Sequence, residues 1–264
     1  IAGTEEQKQK YLRPMVEGDI VIPFGLTEPG GGSDAGDMRT TAVPDGDYYI
    51  LNGRKTFITM APFADYSVIY ANTGVRESGK RGITAFIVDM KLPGVSLGKE
   101  EQKLGLVGFA TSDVILEDVR VHKDDILGRV GEGFTDAMKC LDVGRIGVAA
   151  QSLGIAQGAY DRMIDYMMER EQFGVTLSRF DTLRFEVARI RMQLESARLL
   201  VYRAADNKDK GLPYTAEAAM ARAKSSRVAG CSLNRKPWVF RRPFSSRYQA
   251  ALRLHSWGVG MDMA

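Results

Sequence analysis

The chain has 264 residues, 44% of them hydrophobic and 26% charged, the proportions of an ordinary globular protein able to bury a sizeable core. With 36 basic and 33 acidic residues the net charge is +3, too weak a field to imply nucleic acid or an anionic membrane as partner, and no apolar run approaches the roughly 18 to 20 residues of a membrane span. Two cysteines, Cys140 and Cys231, and two histidines, His122 and His255, form no metal-ligand cluster, so neither a metal site nor a disulfide framework is expected.

Residues 2–15, rich in Glu, Gln and Lys, read as the end of a helical segment, and a start at Ile1 suggests a position inside a longer protein. Residues 19–128 have another texture, short β-rich runs broken by turn residues. Tyr48 to Leu51 meets Asn52-Gly53, and Lys55 to Thr59 follows. Both residues of an Asn-Gly pair tolerate positive φ, so a hairpin is expected there. Residues 66–70, 83–89 and 113–121 are further strand candidates, punctuated by Gly74, Gly79, Gly82 and Pro93-Gly94. Strands at this spacing, with no helices between them, predict an antiparallel sandwich or barrel.

After Gly128 the period changes. Ile146, Ala149, Leu153, Ala156, Tyr160, Met163 and Met167 step by three or four residues, as one face of a helix does. Phe180, Leu183, Val187, Ile190, Leu194, Ala197, Val201 and Ala204 make a second stripe, and ~25 residues at about 1.5 Å each predict a rod of about 37 Å. A third helix is expected from Thr215, after Pro213, to about Val228. The fold class is therefore α+β, an antiparallel β-barrel or β-sandwich domain followed by an α-helical bundle domain. The segments are a helical stub (1–18), a β domain (19–128), a helical domain (129–230) and an irregular tail (231–264). In the tail, Lys236 to Phe244 carries two prolines and no usable period. A slip of reading frame in the source sequence is preferred there to a genuine basic, aromatic loop.

The conspicuous motif runs from Phe24 to Asp34, Phe-Gly-Leu-Thr-Glu-Pro-Gly-Gly-Gly-Ser-Asp. Gly30, Gly32 and Ala35 formally satisfy the dinucleotide spacing G-x-G-x-x-G/A, which serves only between a strand and a helix whose N-terminus meets a pyrophosphate. Here residues 38–43 and Pro44-Asp45-Gly46 lead into a hairpin, and no Gly-Lys-Ser/Thr follows, so a Rossmann site and a nucleotide P-loop both fail. A glycine run lets backbone approach a flat ring or a phosphate, because no Cβ stands in the way. Thr27 and Ser33 add hydroxyl partners. Taken alone, the motif fits a plain glycine-rich turn equally well.

Three more blocks follow it: Asn52-Gly-Arg-Lys-Thr-Phe-Ile-Thr59, Leu141-Asp-Val-Gly-Arg145 and Arg170-Glu-Gln-Phe-Gly174. With four blocks in this order on strand and helix backgrounds, the chain resembles the acyl-CoA dehydrogenase family from about residue 3 to residue 228. The short-chain, butyryl-type enzymes look closest. The resemblance implies an N-terminal helical domain, of which residues 1–18 are the remnant, a middle β domain and a C-terminal four-helix domain, assembled as a homotetramer around FAD. It implies that Phe24, Leu26, Thr27, Gly32 and Ser33 line the flavin ring and phosphates, with Ser33 also near the acyl-CoA. Phe57 and Thr59 would pack on and hydrogen-bond the isoalloxazine, and Arg170 and Phe173 would meet FAD across a subunit interface. Leu141, Asp142 and Arg145 match residues that hold the CoA chain. The plainer alternatives are a surface arginine and a core aromatic for Arg170 and Phe173. For Asp142 and Arg145 the alternative is a local i,i+3 ion pair, worth a few tenths of a kcal/mol.

The implied reaction is the FAD-dependent α,β-dehydrogenation of a short-chain fatty acyl-CoA to the trans-2-enoyl-CoA, a step of fatty acid β-oxidation. A glutamate takes the α-proton, the β-hydrogen leaves as hydride to flavin N5, and electrons pass to an electron-transferring flavoprotein. Donors arranged around the thioester carbonyl stabilise the developing charge, and burial raises the glutamate pKa toward neutrality. Against that pattern, the Tyr-Glu-Gly-Thr segment that usually supplies the base is missing, and the alternative position just before Arg145 is Gly144. No catalytic base is therefore assigned, and the chain as it stands is expected to be inactive. The Gln-x-x-Gly-Gly-x-Gly segment is also missing, Met60 stands where asparagine is common, and Asp181 where glutamine is common. Two other classes stay open: a non-catalytic acyl-CoA-binding module, and a relative of the acyl-CoA oxidases or flavin monooxygenases. The resemblance places the protein in the cytoplasm if bacterial and in the mitochondrial matrix if eukaryotic.

Overall fold

The structure is a computed structural model and describes residues 1–75, 81–103 and 106–234. The irregular tail, apart from its first four residues, lies outside the described residues. The chain divides into two compact units, Ile1–Lys139 and Cys140–Ala264. That boundary falls inside the first long helix, a little beyond the change of texture after Gly128.

The first unit opens with the expected helical stub: α1 (Glu5–Gln7), a π-helical stretch (Lys8–Leu12) and α2 (Arg13–Glu17). A capping box between Thr4 and Gln7 satisfies the first free amides, and Gly18 at φ 87 ends the stub. Tyr11 fixes it to the sheet. Its hydroxyl donates to Asp125 Oδ1 at 2.9 Å, and its ring meets Tyr66 edge-on at 5.0 Å.

The strands are β1 (Phe24–Gly25), β2 (Thr41–Asp45), β3 (Tyr48–Thr59), β4 (Tyr66–Val75), β5 (Arg81–Asp89), β6 (Val95–Leu97), β7 (Thr111–His122) and β8 (Ile126–Leu127). They form one sheet in the order β6-β7-β3-β2-β4-β5-β8, with β1 beside β4. Most neighbours are antiparallel, as the spacing predicts. β1 and β2 each pair with β4 in parallel, however, so the sheet is mixed, and its path does not close into a barrel. Leu51, Ile69, Phe86, Val88, Val114, Leu116, Val119 and Val121 make the core of this unit.

The hairpin sits elsewhere than Asn52-Gly53 suggests. Gly46-Asp47 joins β2 to β3, Asp45 pairing with Tyr48, and Gly46 at φ 61 supplies the positive φ that a two-residue loop demands. Asn52-Gly53 lies instead inside the continuous β3, at a register shift against β7. A Cβ on Gly53 would lie 2.7 Å from Thr40 Cα, so glycine is required there by close backbone approach. Asn52 spans the extra residue of β7: its Oδ1 accepts from Asp118 N at 2.9 Å, and its Nδ2 donates to Asp118 Oδ1 at 3.0 Å.

The helices are α3 (Gly133–Glu169), α4 (Asp181–Asp209) and α5 (Thr215–Asn234). In the second unit Ala149, Leu153, Ala156, Met163 and Met167 are buried with Ile190, Leu194, Ala197 and Val201, as the periods of the first two long helices predict, and Ala221 and Val228 of the third join them. Burying a side chain such as Leu194 stabilises by about 2 to 3 kcal/mol. α5 continues past Val228 to Asn234, into the stretch where the sequence pattern fails. Between α3 and α4 a hairpin of β9 (Glu171–Gln172) and β10 (Val175–Thr176) appears, too short for periodicity to reveal. Among the described residues no helix is long and apolar enough to cross a membrane.

Candidate functional site

Phe24 and Gly25 pair in parallel with Val68 and Ile69, and Val68 N donates to Pro23 O at 2.9 Å. A Cβ on Gly25 would lie 2.8 Å from Ile69 Cδ1 and 3.1 Å from Lys55 Cγ, so only glycine lets β1 sit between β4 and β3. Gly25 thus faces the core and Phe24, by the period of two, faces solvent. The Thr27 carbonyl then accepts from Thr56 N at 2.9 Å, tying the motif to β3. Glu28 and Gly31 exchange backbone hydrogen bonds at 3.3 and 3.1 Å and close a turn over Pro29-Gly30. Gly32 is half-buried and Ser33 exposed. A short 3-10 turn, Ala35–Asp37, follows and leads to β2, so no long helix begins here and the dinucleotide pattern finds no structural support. Residues including Leu26, Gly30, Asp34 and Arg39 line a cavity of ≈ 110 Å³ beside this turn.

The loop is anchored from below by two residues not among the sequence-derived site candidates, Lys55 and Glu28. Lys55 is fully buried, and its ammonium donates to Glu28 Oε1 at 2.8 Å and to Leu26 O at 3.3 Å. Glu28 Oε1 also accepts from Thr40 N at 2.9 Å and Thr40 Oγ1 at 2.6 Å, while Oε2 accepts from Arg39 N at 2.6 Å. Desolvation, the largest single influence, pushes the Glu28 carboxyl up. The hydrogen bonds from Lys55, Thr40 and Arg39 outweigh it and hold the group below its ordinary range. Burial likewise holds Lys55 below the usual lysine range, although its bonds to Glu28 oppose this. Glu28 is therefore a structural anion and a poor proton acceptor. The visible signal was Lys55 itself, a charge on the inward phase shared with Leu51.

Along β3 the register slips again between Lys55, opposite Val114, and Ile58, opposite Ser112. Thr56 and Phe57 together face Asp113, a β-bulge, and Phe57 adopts φ 59. A left-handed conformation at a bulky residue costs on the order of 1 to 3 kcal/mol and persists only where its surroundings hold it. The extra residue resets the alternation. Lys55 and Ile58 point inward, while Phe57, 61% exposed, and Thr59 point outward together. Asp113 receives the bulge's donors: Thr56 Oγ1 at 2.5 Å, the Phe57 amide and the Arg54 guanidinium, whose Nε lies at 2.7 Å. Desolvation raises the Asp113 pKa, but these bonds more than compensate and leave it lowered. The next residue, Met60, is also left-handed at φ 66, a conformation that the short amide of an asparagine adopts more easily.

In the second unit, Asp142 and Arg145 form the i,i+3 ion pair that was the plainer alternative for them. Asp142 Oδ2 also accepts from Thr215 Oγ1 at 2.6 Å, joining α3 to the start of α5. Leu141 is half-buried beside them. A Cβ at Gly144 would meet nothing within 4 Å, so this position is open but carries no carboxylate. Arg170 is exposed at the foot of the β9–β10 hairpin. Phe173 is no core aromatic: with Gly174 it forms the two-residue turn, both at positive φ, and its ring is 92% exposed. Asp181 starts α4 and pairs with Arg184 at 3.0 Å.

The structure thus joins Phe24, Thr27, Phe57 and Thr59 through β1 and β3 of the first unit. It pairs Asp142 with Arg145, and sets Arg170 and Phe173 on either side of β9, as separate groups of the second. A mixed sheet bearing such a glycine-rich loop, continued by three long helices, defines a two-domain α+β protein. Residues 23–119 match the acyl-CoA dehydrogenase middle domain and residues 131–232 the acyl-CoA dehydrogenase C-terminal domain. The chain is 56% identical over 228 residues to the caffeyl-CoA reductase-Etf complex subunit CarC of Acetobacterium woodii, covering 86% of this chain and 60% of that protein. It is 54% identical over 222 residues to the 3-(aryl)acrylate reductase of Clostridium sporogenes, covering 84% and 59%. The structure of butyryl-CoA dehydrogenase from Megasphaera elsdenii superposes with a TM-score of 0.89 at 40% identity, over 96% of this chain and 68% of that one. The chain belongs to the acyl-CoA dehydrogenase family. It spans about 60% of the length of the curated relatives it matches.

Proposed function

We propose that this protein is an FAD-dependent oxidoreductase acting across the α,β bond of a short-chain acyl-CoA, exchanging electrons with an electron-transferring flavoprotein. The observation that carries this is the β3 bulge. It presents an exposed aromatic ring and a threonine hydroxyl beside a loop whose backbone lacks Cβ atoms, a surface suited to a flat, hydrogen-bonding ring. Phe24, Thr27, Gly32, Ser33, Phe57 and Thr59 would hold FAD from the sheet, with buried Leu26 supporting the loop. Arg170 and Phe173 of a neighbouring copy in a tetramer would complete the site. When bound, the flavin supplies the hydride acceptor. Leu141, Asp142 and Arg145 would hold the CoA chain. Asp142, paired with the Arg145 guanidinium, limits its motion. With Gly144 at one base position and no Tyr-Glu-Gly-Thr segment, the chain as it stands would bind and not turn over.

The test is a flavin absorbance spectrum of the purified protein, followed by titration with butyryl-CoA. Bound flavin whose band shifts on adding substrate is the expected result. A folded, colourless protein that takes up no added FAD would sink the proposal. A second reading concerns direction and acyl group. Two relatives above 50% identity are named as reductases, one for caffeyl-CoA and one for 3-(aryl)acrylates. An aryl-acryloyl-CoA reduced at its double bond is then the substrate pair. Comparing how tightly butyryl-CoA and cinnamoyl-CoA shift the flavin band separates the two.

A further inference from the structure

We propose that Asp113 is a positioning residue for the outward face of β3, its carboxylate holding the bulge in the backbone conformation that turns Phe57 and Thr59 outward, to the side opposite Lys55. This rests on the FAD site proposed above. Phe57 gains nothing from its own conformation: φ 59 is disfavoured for a bulky side chain, and the ring is largely in solvent, where it packs on little. What opposes the strain is on the facing strand. One carboxylate gathers donors from three positions of β3, Arg54, Thr56 and Phe57, just before and within the two-against-one bulge.

The carboxylate is itself fixed. Its side chain is 7% exposed while that of Arg54 is 56% exposed, so the anion lies beneath and the cation covers it from the solvent side. On the other flank Gly98 N donates to Asp113 O at 3.0 Å, and a Cβ on Gly98 would come within 3.0 Å of Asp113 Cβ. That glycine leaves space for the aspartate and closes it in. The group is held below its ordinary pKa, hence ionised at neutral pH and acceptor-only, which suits donors on every side. An asparagine of the same size would turn an NH2 toward one of these donors.

Three variants of the full chain test this: Asp113→Asn, Thr56→Val, which removes one donor, and Thr56→Ser, which keeps it. Two quantities are read, the hydrogen–deuterium exchange of the peptide spanning residues 54–60 and the dissociation constant for FAD. Asp113→Asn and Thr56→Val are expected to speed exchange in that peptide at least tenfold while distant peptides keep the parent's rates, and to weaken FAD binding about tenfold. Thr56→Ser should stay within twofold on both. Unchanged exchange in both Asp113→Asn and Thr56→Val overturns the proposal, as does faster exchange with undiminished FAD affinity. Should Asp113→Asn fail to fold, Thr56→Val against Thr56→Ser decides alone. A parent that takes up no FAD would refute the functional reading, while selective loss of protection at 54–60 would still uphold the role of Asp113 in shaping this face.

Discussion

The two units hold their candidate residues by different means. In the sheet unit the loop and the bulge rest on buried charge: Lys55 with Glu28 on one side, Asp113 with Arg54, Thr56 and Phe57 on the other. In the helical unit the fold rests on apolar stripes, and the polar candidates sit nearer the surface, Arg145 against Asp142 and the Phe173 turn beyond the end of α3. The cause lies in the backbone. A helix satisfies its own amides, so its side chains need only pack. An irregular loop or a bulged strand leaves amides without partners, and a carboxylate, with about four acceptor sites, is the compact group that can receive them.

Breaking this contrast is most direct at Lys55. Lys55→Met leaves Glu28 buried without its cation and should cost about 3 to 5 kcal/mol in urea denaturation. The double variant with Glu28→Gln should recover much of that, because no buried ion remains. A single-variant loss below about 1 kcal/mol would show that charge does not hold the loop. On the helical side, Leu194→Ala should cost about 2 to 5 kcal/mol by thermal unfolding, all of it from lost packing. Acid should separate the units more gently. Glu28 and Asp113 have lowered pKa values when folded, so their contribution is present above the ordinary carboxyl pKa of ~4 and is lost as pH falls through their folded values. Denaturation midpoints followed from neutral to acid pH should fall for the parent and fall less for Asp113→Asn. Lys55 acts with the opposite sign: its lowered pKa penalises the fold until the pH rises past its folded value, so it adds nothing to the acid transition. Smallest of all, Asp142→Asn should cost less than about 1 kcal/mol in the same denaturation assay, as befits a partly exposed pair.

Periodicity carried the helical unit well. Ala149 to Met167 and Ile190 to Ala204 are buried as their spacing indicates, since a stripe of apolar residues has one way to leave water. The longest strands were found by their β-rich runs, but their pairing was not, because a parallel contact such as Thr41 with Asn72 depends on residues far apart in the chain. Asn52-Gly53 misled for a local reason. Positive φ serves a turn and a close backbone approach alike, and only the position of Thr40 decides between them. The motif residues stood out through their glycines and aromatics. Glu28, Lys55 and Asp113, which hold them, are separated by up to 85 positions and follow no period, so nothing short of the folded sheet brings them together.

The bulge at Thr56 and Phe57 also makes this stretch of β3 more sensitive to straightening than to the loss of one residue. Side chains along a strand alternate like the teeth of a zip, and the additional residue advances that order by half a step. Deleting Thr56 would leave Lys55, Phe57, Ile58 and Thr59 in plain alternation, with Lys55 and Ile58 inward, Phe57 and Thr59 outward, and no bulge. Straightening the strand with Thr56 in place would invert the face, while a one-codon deletion would keep it.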